Sequence, residues 1–251
     1  MKLRFRRRGV RLYQADVLEA LPRLARAGEA FDAVVTDPPY SSGGLYRGDR
    51  AAGSSVKYYK AALPNFTGDN RDQRSYLAWA LLWLAGARKI TRPGGLLCCF
   101  IDWRQLPTLS DAIQAAGWVW RGVLAWDRTE SKARPRPGGF RNQVEFIAWA
   151  TNGPVDRGGP VIRGAWREPT VWPRDRVHAA QKPLSVVRDL VRCVWRDGGQ
   201  VLDPFAGGAT TLVAAQELGV PAVGLELDDG ACRAAIERLR EKRPQLAAAA
   251  A

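Results

Sequence analysis

Short, almost wholly apolar runs alternate along this chain with longer segments whose apolar residues recur at helical spacing, and few folds accommodate that rhythm. Residues 10–16, 32–36, 95–101, 118–126, 144–150, 200–202 and 221–226 read as seven strands. A strand that is apolar on both sides must be covered on both faces, the usual condition of a parallel sheet flanked by helices. Helical spacing fills 75–90, where Tyr76, Leu77, Ala80, Leu81, Leu84 and Ala87 recur on one side and Arg92-Pro93-Gly94-Gly95 ends the pattern. The spacing returns at 184–195, 210–218 and 229–240. Together these features predict an α/β fold with a doubly wound, mostly parallel, seven-stranded Rossmann-like sheet. At 251 residues and 46% hydrophobic composition, one domain spanning 1–251 with insertions is expected.

Two stretches fit neither period. Residues 41–74 are rich in Gly, Ser, Tyr, Arg and Lys, and 129–176 in Arg, Pro and Gly with interspersed Trp. Loops of that length inside a domain usually bind or move. Lys and Arg number 38 against 25 Asp and Glu, a formal charge of +13, which favours a polyanionic partner. No apolar run is long enough to span a bilayer, and the basic start leads into no apolar signal core, so a cytoplasmic protein without a membrane partner is expected. The four cysteines, Cys98, Cys99, Cys193 and Cys232, lack metal-site or disulfide spacing, and His178 is the single histidine; buried reduced thiols and no metal are expected.

Chemistry concentrates at two strand ends. Asp37-Pro38-Pro39-Tyr40 directly follows the apolar run 32–36, and in an open α/β sheet ligands bind beyond the carboxyl ends of strands. The prolines fix φ and leave carbonyls free to accept, Asp37 adds another acceptor, and Tyr40 offers an aromatic face. That set suits a planar group bearing an amine. The bland alternative is a Pro-rich turn that merely closes a strand.

Further along, Val201-Leu202-Asp203-Pro204-Phe205-Ala206-Gly207-Gly208-Ala209-Thr210-Thr211 runs from a short strand through a Gly-containing turn into a helix. Such a turn lets backbone approach a nucleotide-like ligand closely. Glu226 ends the next strand, where a carboxylate can accept from both hydroxyls of a ribose. The third glycine of the dinucleotide fingerprint is missing, which points to a mononucleoside cofactor; an ordinary tight turn with a solvated carboxylate is the alternative.

In their order, Asp37-Pro-Pro-Tyr40, then His178-Ala-Ala-Gln-Lys-Pro183, then Asp203-Pro-Phe-Ala-Gly-Gly-Ala-Thr210, the chain resembles the β-class amino methyltransferases of DNA. The resemblance spans about 10–240 and implies a methyltransferase fold with circularly permuted motif order, S-adenosylmethionine as cofactor, and double-stranded DNA as substrate. It implies that Asp37, Pro38, Pro39 and Tyr40 are catalytic. Asp203, Pro204, Phe205, Ala206, Gly207, Gly208 and Thr210 would line the cofactor pocket, with Glu226 on the ribose and Asp16 facing the adenine. Gln181 and Lys182 would close over the methionine end, Lys182 pairing with the cofactor carboxylate or lying solvated at a helix start. The family commonly has His-Pro-Thr where this chain has His178-Ala-Ala. By the family's strand order, Asp37 and Gly207 should meet on neighbouring strand ends.

A base within a duplex cannot reach such a crevice, so the target must be flipped out, with Tyr40 as its stacking surface. Arg47, Lys57, Tyr58 and Lys60, beside Tyr46 and Tyr59, suit a DNA-binding loop at 41–74. Lys132, Arg134, Arg136 and Arg141, with Arg157, Arg163, Arg167, Arg174 and Arg176, suit a small target-recognition insertion at 129–176. The run Arg4, Arg6, Arg7, Arg8 reads as a phosphate-facing or solvated arm. The resemblance favours adenine N6, since cytosine-N4 members more often carry Ser in place of Asp37. The other readings are a cytosine-N4 enzyme, an RNA or protein-glutamine methyltransferase, and a catalytically silent DNA-binding regulator. A second protomer and a cognate restriction endonuclease are conceivable partners.

Overall fold

The structure, a computed structural model, describes residues 1–41, 71–129, 137–170, 181–194 and 196–241. Its strands are β1 (Lys2–Arg7), β2 (Val10–Gln14), β3 (Phe31–Thr36), β4 (Thr91–Ile101), β5 (Val119–Asp127), β6 (Val144–Thr151), β7 (Ala165–Arg167), β8 (Val201–Asp203) and β9 (Ala222–Glu226). Its helices are α1 (Val17–Arg26), α2 (Gln73–Lys89), α3 (Leu106–Ala115), α4 (Leu184–Val191), α5 (Thr210–Leu218) and α6 (Asp229–Arg240). Among the described residues all nine strands join one sheet, in the order β1-β2-β9-β8-β3-β4-β6-β5-β7. From β2 to β4 neighbours run parallel, whereas β6 is antiparallel to both β4 and β5.

All seven expected strands are present, and two more correct the strand count. β1 forms from the arginine-rich start, which is an edge hairpin and not a free arm: β1 pairs antiparallel with β2 through Arg8-Gly9. Both turn residues have positive φ, +49° and +76°, the geometry that matches the twist of a two-residue hairpin. β7 lies inside the stretch read as loop; Trp166 is buried there, and the strand pairs parallel with β5. Two helices were hidden from periodicity by proline, Pro22 inside α1 and Pro107 in the first turn of α3. α4 stops at Val191, short of the expected 195.

Helices divide between the two faces. α1, α2 and α3 cover one, where Leu21, Tyr76, Trp83, Leu84 and Ile113 pack on Val34, Leu97, Cys99 and Ile101. α4, α5 and α6 cover the other, packing Val187, Leu190, Leu212 and Leu239 with Ala33, Val35, Cys98 and Phe100. Alternate residues of β3 and β4 therefore serve opposite cores, which is why their sequences are apolar without interruption. The cysteines are free thiols, three buried and Cys193 half-buried. Among the described residues no helix is long and apolar enough to cross a membrane.

Leu84 is fully enclosed between α2 and the sheet. Leu84→Ala should cost about 2–5 kcal/mol. The midpoint of urea denaturation should fall with an unchanged slope.

Candidate active site

β3 and β8 are parallel neighbours, with Ala33 opposite Val201 and Val34 opposite Leu202. Past β3 the chain crosses through α2 to β4 on one side; past β8 it crosses through α5 to β9 on the other. Those two helices lie on opposite faces, so a crevice is left between the strand ends, as at any topological switch point. Both chemical motifs open into it. Thr36 Oγ1 donates to Asp203 Oδ1 at 2.7 Å, a buried bond that ties one motif to the other.

At the end of β3, Asp37 meets a cation the sequence did not place there. Lys182 Nζ lies 2.7 Å from Asp37 Oδ2 and 3.4 Å from Glu145 Oε2. Only 7% of Lys182 is exposed, so it is not a solvated helix-start residue. Its ammonium also sits 5.0 Å from the ring centre of Tyr40 and 5.4 Å from that of Phe100, close enough for cation–π attraction. Burial alone would lower the Lys182 pKa, but Asp37 and Glu145 hold it above its ordinary value. Burial raises the Asp37 carboxyl, and Lys182 works against that rise. Tyr40 is pushed well above the usual phenol range by burial and by the nearby carboxylates, so it remains a donor and reaches Glu145 Oε2 at 3.2 Å. Glu145 is held in turn by Arg128, 3.0 Å from its Oε1.

One acceptor of this cluster is left over. Asp37 Oδ1 is enclosed yet has no hydrogen-bond partner among the described residues, while 24% of the Asp37 side chain stays open to the crevice. A buried lone pair without a donor is costly and marks a place where a ligand N–H would be accepted. Pro38 is buried beside it, and Pro39 and Tyr40 are half-buried. Glu145 went unnoticed in the sequence; its one signal is an acid set into the otherwise apolar run 144–150.

The turn after β8 is built from backbone. Gly207 has φ +47° and its N–H donates to Glu226 Oε2 at 2.8 Å, while the N–H of Asp228 donates to Oε1 at 2.8 Å. Each oxygen keeps a second lone pair for a ligand hydroxyl. Ala209 takes a left-handed conformation, φ +60°, a strained choice for a residue with a Cβ. Buried Arg238 of α6 secures the turn, donating to the Gly208 carbonyl at 2.7 Å and to Thr210 Oγ1 at 2.9 Å. Thr210 thus spends its hydroxyl on support of the turn. Gly224 of β9 permits the close approach, since a Cβ there would lie 2.7 Å from Leu212 Cδ1. Pro204 and Ala206 are buried. Phe205 packs against Trp83 and Trp79 of α2, with ring centres 5.2 and 5.3 Å apart.

Asp16 follows β2, the neighbour of β9, and caps α1 by accepting from the N–H of Leu18 at 2.8 Å. Gln181 is half-buried next to Lys182. Arg141 and Arg157 are exposed; Arg163 and Arg167, also exposed, pair with Asp189 and Asp127. Arg47, Lys57, Tyr58, Lys60, Lys132, Arg134, Arg136 and His178 lie outside the described residues, as do Tyr46, Tyr59, Arg174 and Arg176.

The chain matches the family model described as DNA methylase over residues 31–237, a span that holds both motifs. It is similar to the type II methyltransferase M.HindIII of Haemophilus influenzae, 22% identical with 91% of this chain and 94% of that one covered. The solved structure of the M1.HpyAVI–SAM complex has the same fold, with TM-score 0.68 at 20% identity, covering 92% of this chain and 100% of that one. So does the cytosine-N4-specific PvuII DNA methyltransferase, with TM-score 0.68 at 15% identity, covering 92% and 86%.

Burial raises Asp203 from its ordinary 3.8 to about 6, with Thr36, Thr211 and the N–H of Phe205 opposing the rise. Between those values the folded chain holds a proton that the unfolded chain releases, so the contribution of Asp203 to stability falls as the pH rises through the window. Asp203→Asn removes that loss and can keep the same hydrogen bonds. Urea denaturation at a series of pH values should show the variant gaining on wild type between pH 4 and 7, by up to about 3 kcal/mol. Parallel curves would show that Asp203 ionises in the fold as it does in water.

Proposed function

Because the chain belongs to the DNA methylase family, whose members methylate the amino group of adenine or cytosine with S-adenosylmethionine as cofactor, we propose that it methylates adenine N6 at a specific sequence in duplex DNA. The observation that carries this reading is the buried, unpartnered Oδ1 of Asp37, at the end of a strand that pairs directly with the strand leading into the glycine turn.

An amino nitrogen on a nucleobase is a poor nucleophile because its lone pair is delocalised into the ring. Asp37 Oδ1 and the Pro38 carbonyl accept its two hydrogens, and the prolines hold those acceptors still, which favours a geometry with the lone pair directed out of the ring plane. Lys182 opposes the protonation of Asp37 that burial favours and holds Oδ2, leaving Oδ1 for the amine. That assignment replaces a pairing of Lys182 with the cofactor carboxylate. A nitrogen that has gained a methyl group must lose a proton, and the Asp37 carboxylate is the base within reach. Tyr40 supplies the face on which the flipped base rests.

S-adenosylmethionine, when bound, supplies an electrophilic methyl group. Glu226 is suited to its ribose hydroxyls, and Asp203, Pro204, Phe205, Ala206, Gly207 and Gly208 to lining its pocket, with Thr210 supporting the turn. Asp16 would face the adenine ring and Gln181 would close the methionine end. Arg47, Lys57, Tyr58 and Lys60, and Lys132, Arg134, Arg136 and Arg141, would engage DNA. Adenine is preferred to cytosine on the acidic side chain at position 37.

Single-molecule sequencing of DNA from a methylation-free host expressing the chain should show N6-methyladenine in one fixed context. N4-methylcytosine would overturn the choice of base, and unmodified DNA the activity itself. Asp37→Ala should reduce methyl incorporation by at least about 100-fold while cofactor binding, measured by calorimetry, persists. Lys182→Met removes the cation that opposes protonation of Asp37, so the acid limb of the pH–rate profile should move to higher pH; Lys182→Arg should restore part of it.

A further inference from the structure

The crevice rim carries another aromatic and cationic feature that belongs to neither motif. β4 runs parallel to β3, with Thr36 opposite Cys99, so Asp102-Trp103-Arg104-Gln105 emerges at the same end of the sheet as Asp37-Pro38-Pro39-Tyr40. The turn is braced from within. Asp102 Oδ1 accepts the N–H groups of Arg104 and Gln105 at 3.0 and 3.2 Å, and its Oδ2 pairs with the Arg104 guanidinium at 3.2 Å. Gln105 is 1% exposed and its Nε2 donates to the carbonyl of Ser41, the residue after Tyr40, at 3.5 Å. The brace therefore couples this turn to the catalytic corner.

On that rigid support stands an indole that the fold does not use. Trp103 is 50% exposed, whereas Trp83, Trp118, Trp126 and Trp166 are buried. The Arg104 guanidinium lies over the Trp103 ring, 5.1 Å from its centre, so the pair presents a half-exposed indole with a charge over one face. A half-exposed indole beside a cation, at the rim of a site in a chain of net charge +13, is complementary to nucleic acid: the ring can stack on a base and the cation can meet a phosphate. Extruding a nucleotide leaves an open base step next to the crevice, and a side chain that covers that step offsets the lost stacking.

We propose that Trp103 and Arg104 form a duplex-contacting edge, Trp103 stacking on the base step vacated by the flipped nucleotide and Arg104 contacting an adjacent phosphate. The inference rests on the DNA methylase reading and adds to it how the duplex is held open. The test uses full-length protein and a duplex carrying the sequence identified by methylation mapping, once with the target base paired and once mispaired. Trp103→Ala should weaken binding to the paired duplex about tenfold or more, by fluorescence anisotropy, with cofactor affinity unchanged. A mispaired target, already half released, should recover most of that loss, and Trp103→Phe should recover part of it on the paired duplex. Arg104→Ala should reduce the slope of log affinity against log salt by about one. Wild-type binding by both variants, or an equal loss for Trp103→Ala on both duplexes, would overturn the proposal. A wild-type protein that methylates no DNA sinks the functional reading instead, which separates the two failures.

Discussion

Parallel pairing of β3 with β8 brings together two stretches of chain more than half the sequence apart, and everything at the site depends on it. The buried bond from Thr36 to Asp203 closes that junction at the carboxyl ends of the two strands. Because α2 and α5 leave in opposite directions and cover opposite faces, no side chain of either helix needs to fill the space between the strand ends. Asp37 on one strand and the Gly207 turn on the other then look across one crevice.

Inside that crevice the charges are arranged around a single cation. Lys182 touches Asp37 and Glu145 and lies against Tyr40 and Phe100, and Arg128 balances the second carboxylate. Ion pairs taken this far out of water add little net stability, since desolvation offsets the attraction, though breaking one is expensive. Their value here is positional. Asp37 is held by one oxygen, Lys182 opposes the protonation that burial favours, and the other oxygen is left with an unmet need for a donor.

The glycine turn is organised differently, with backbone N–H groups holding a carboxylate and a distant side chain holding the backbone. Gly207 and Asp228 present N–H groups to Glu226, and Arg238 reaches from α6 to the Gly208 carbonyl. Strain at Ala209 is tolerated because both ends of the turn are fixed. The Asp102 turn repeats the plan on the neighbouring strand, where an internal brace displays Trp103 and Arg104 at the rim.

Much of this was legible in the chain alone. Apolar continuity in 32–36 and 95–101 required strands covered on both sides, and the tetrapeptide and the glycine turn each sat where a strand must end. Short-range chemistry of that kind survives in sequence because period, proline and glycine act locally. β1 and β7 did not show, since an edge strand with alternating arginines and a three-residue strand carry too little pattern; α1 and α3 were obscured by proline. Lys182 was marked by its Gln-Lys-Pro segment but not paired with Asp37 there, whereas Glu145, Arg128 and Arg238 acquired their tasks only on folding. Each is an ordinary charged residue in its own segment, and its partners stand on other strands and helices, so burial and distance, which no local pattern encodes, decided what those charges do.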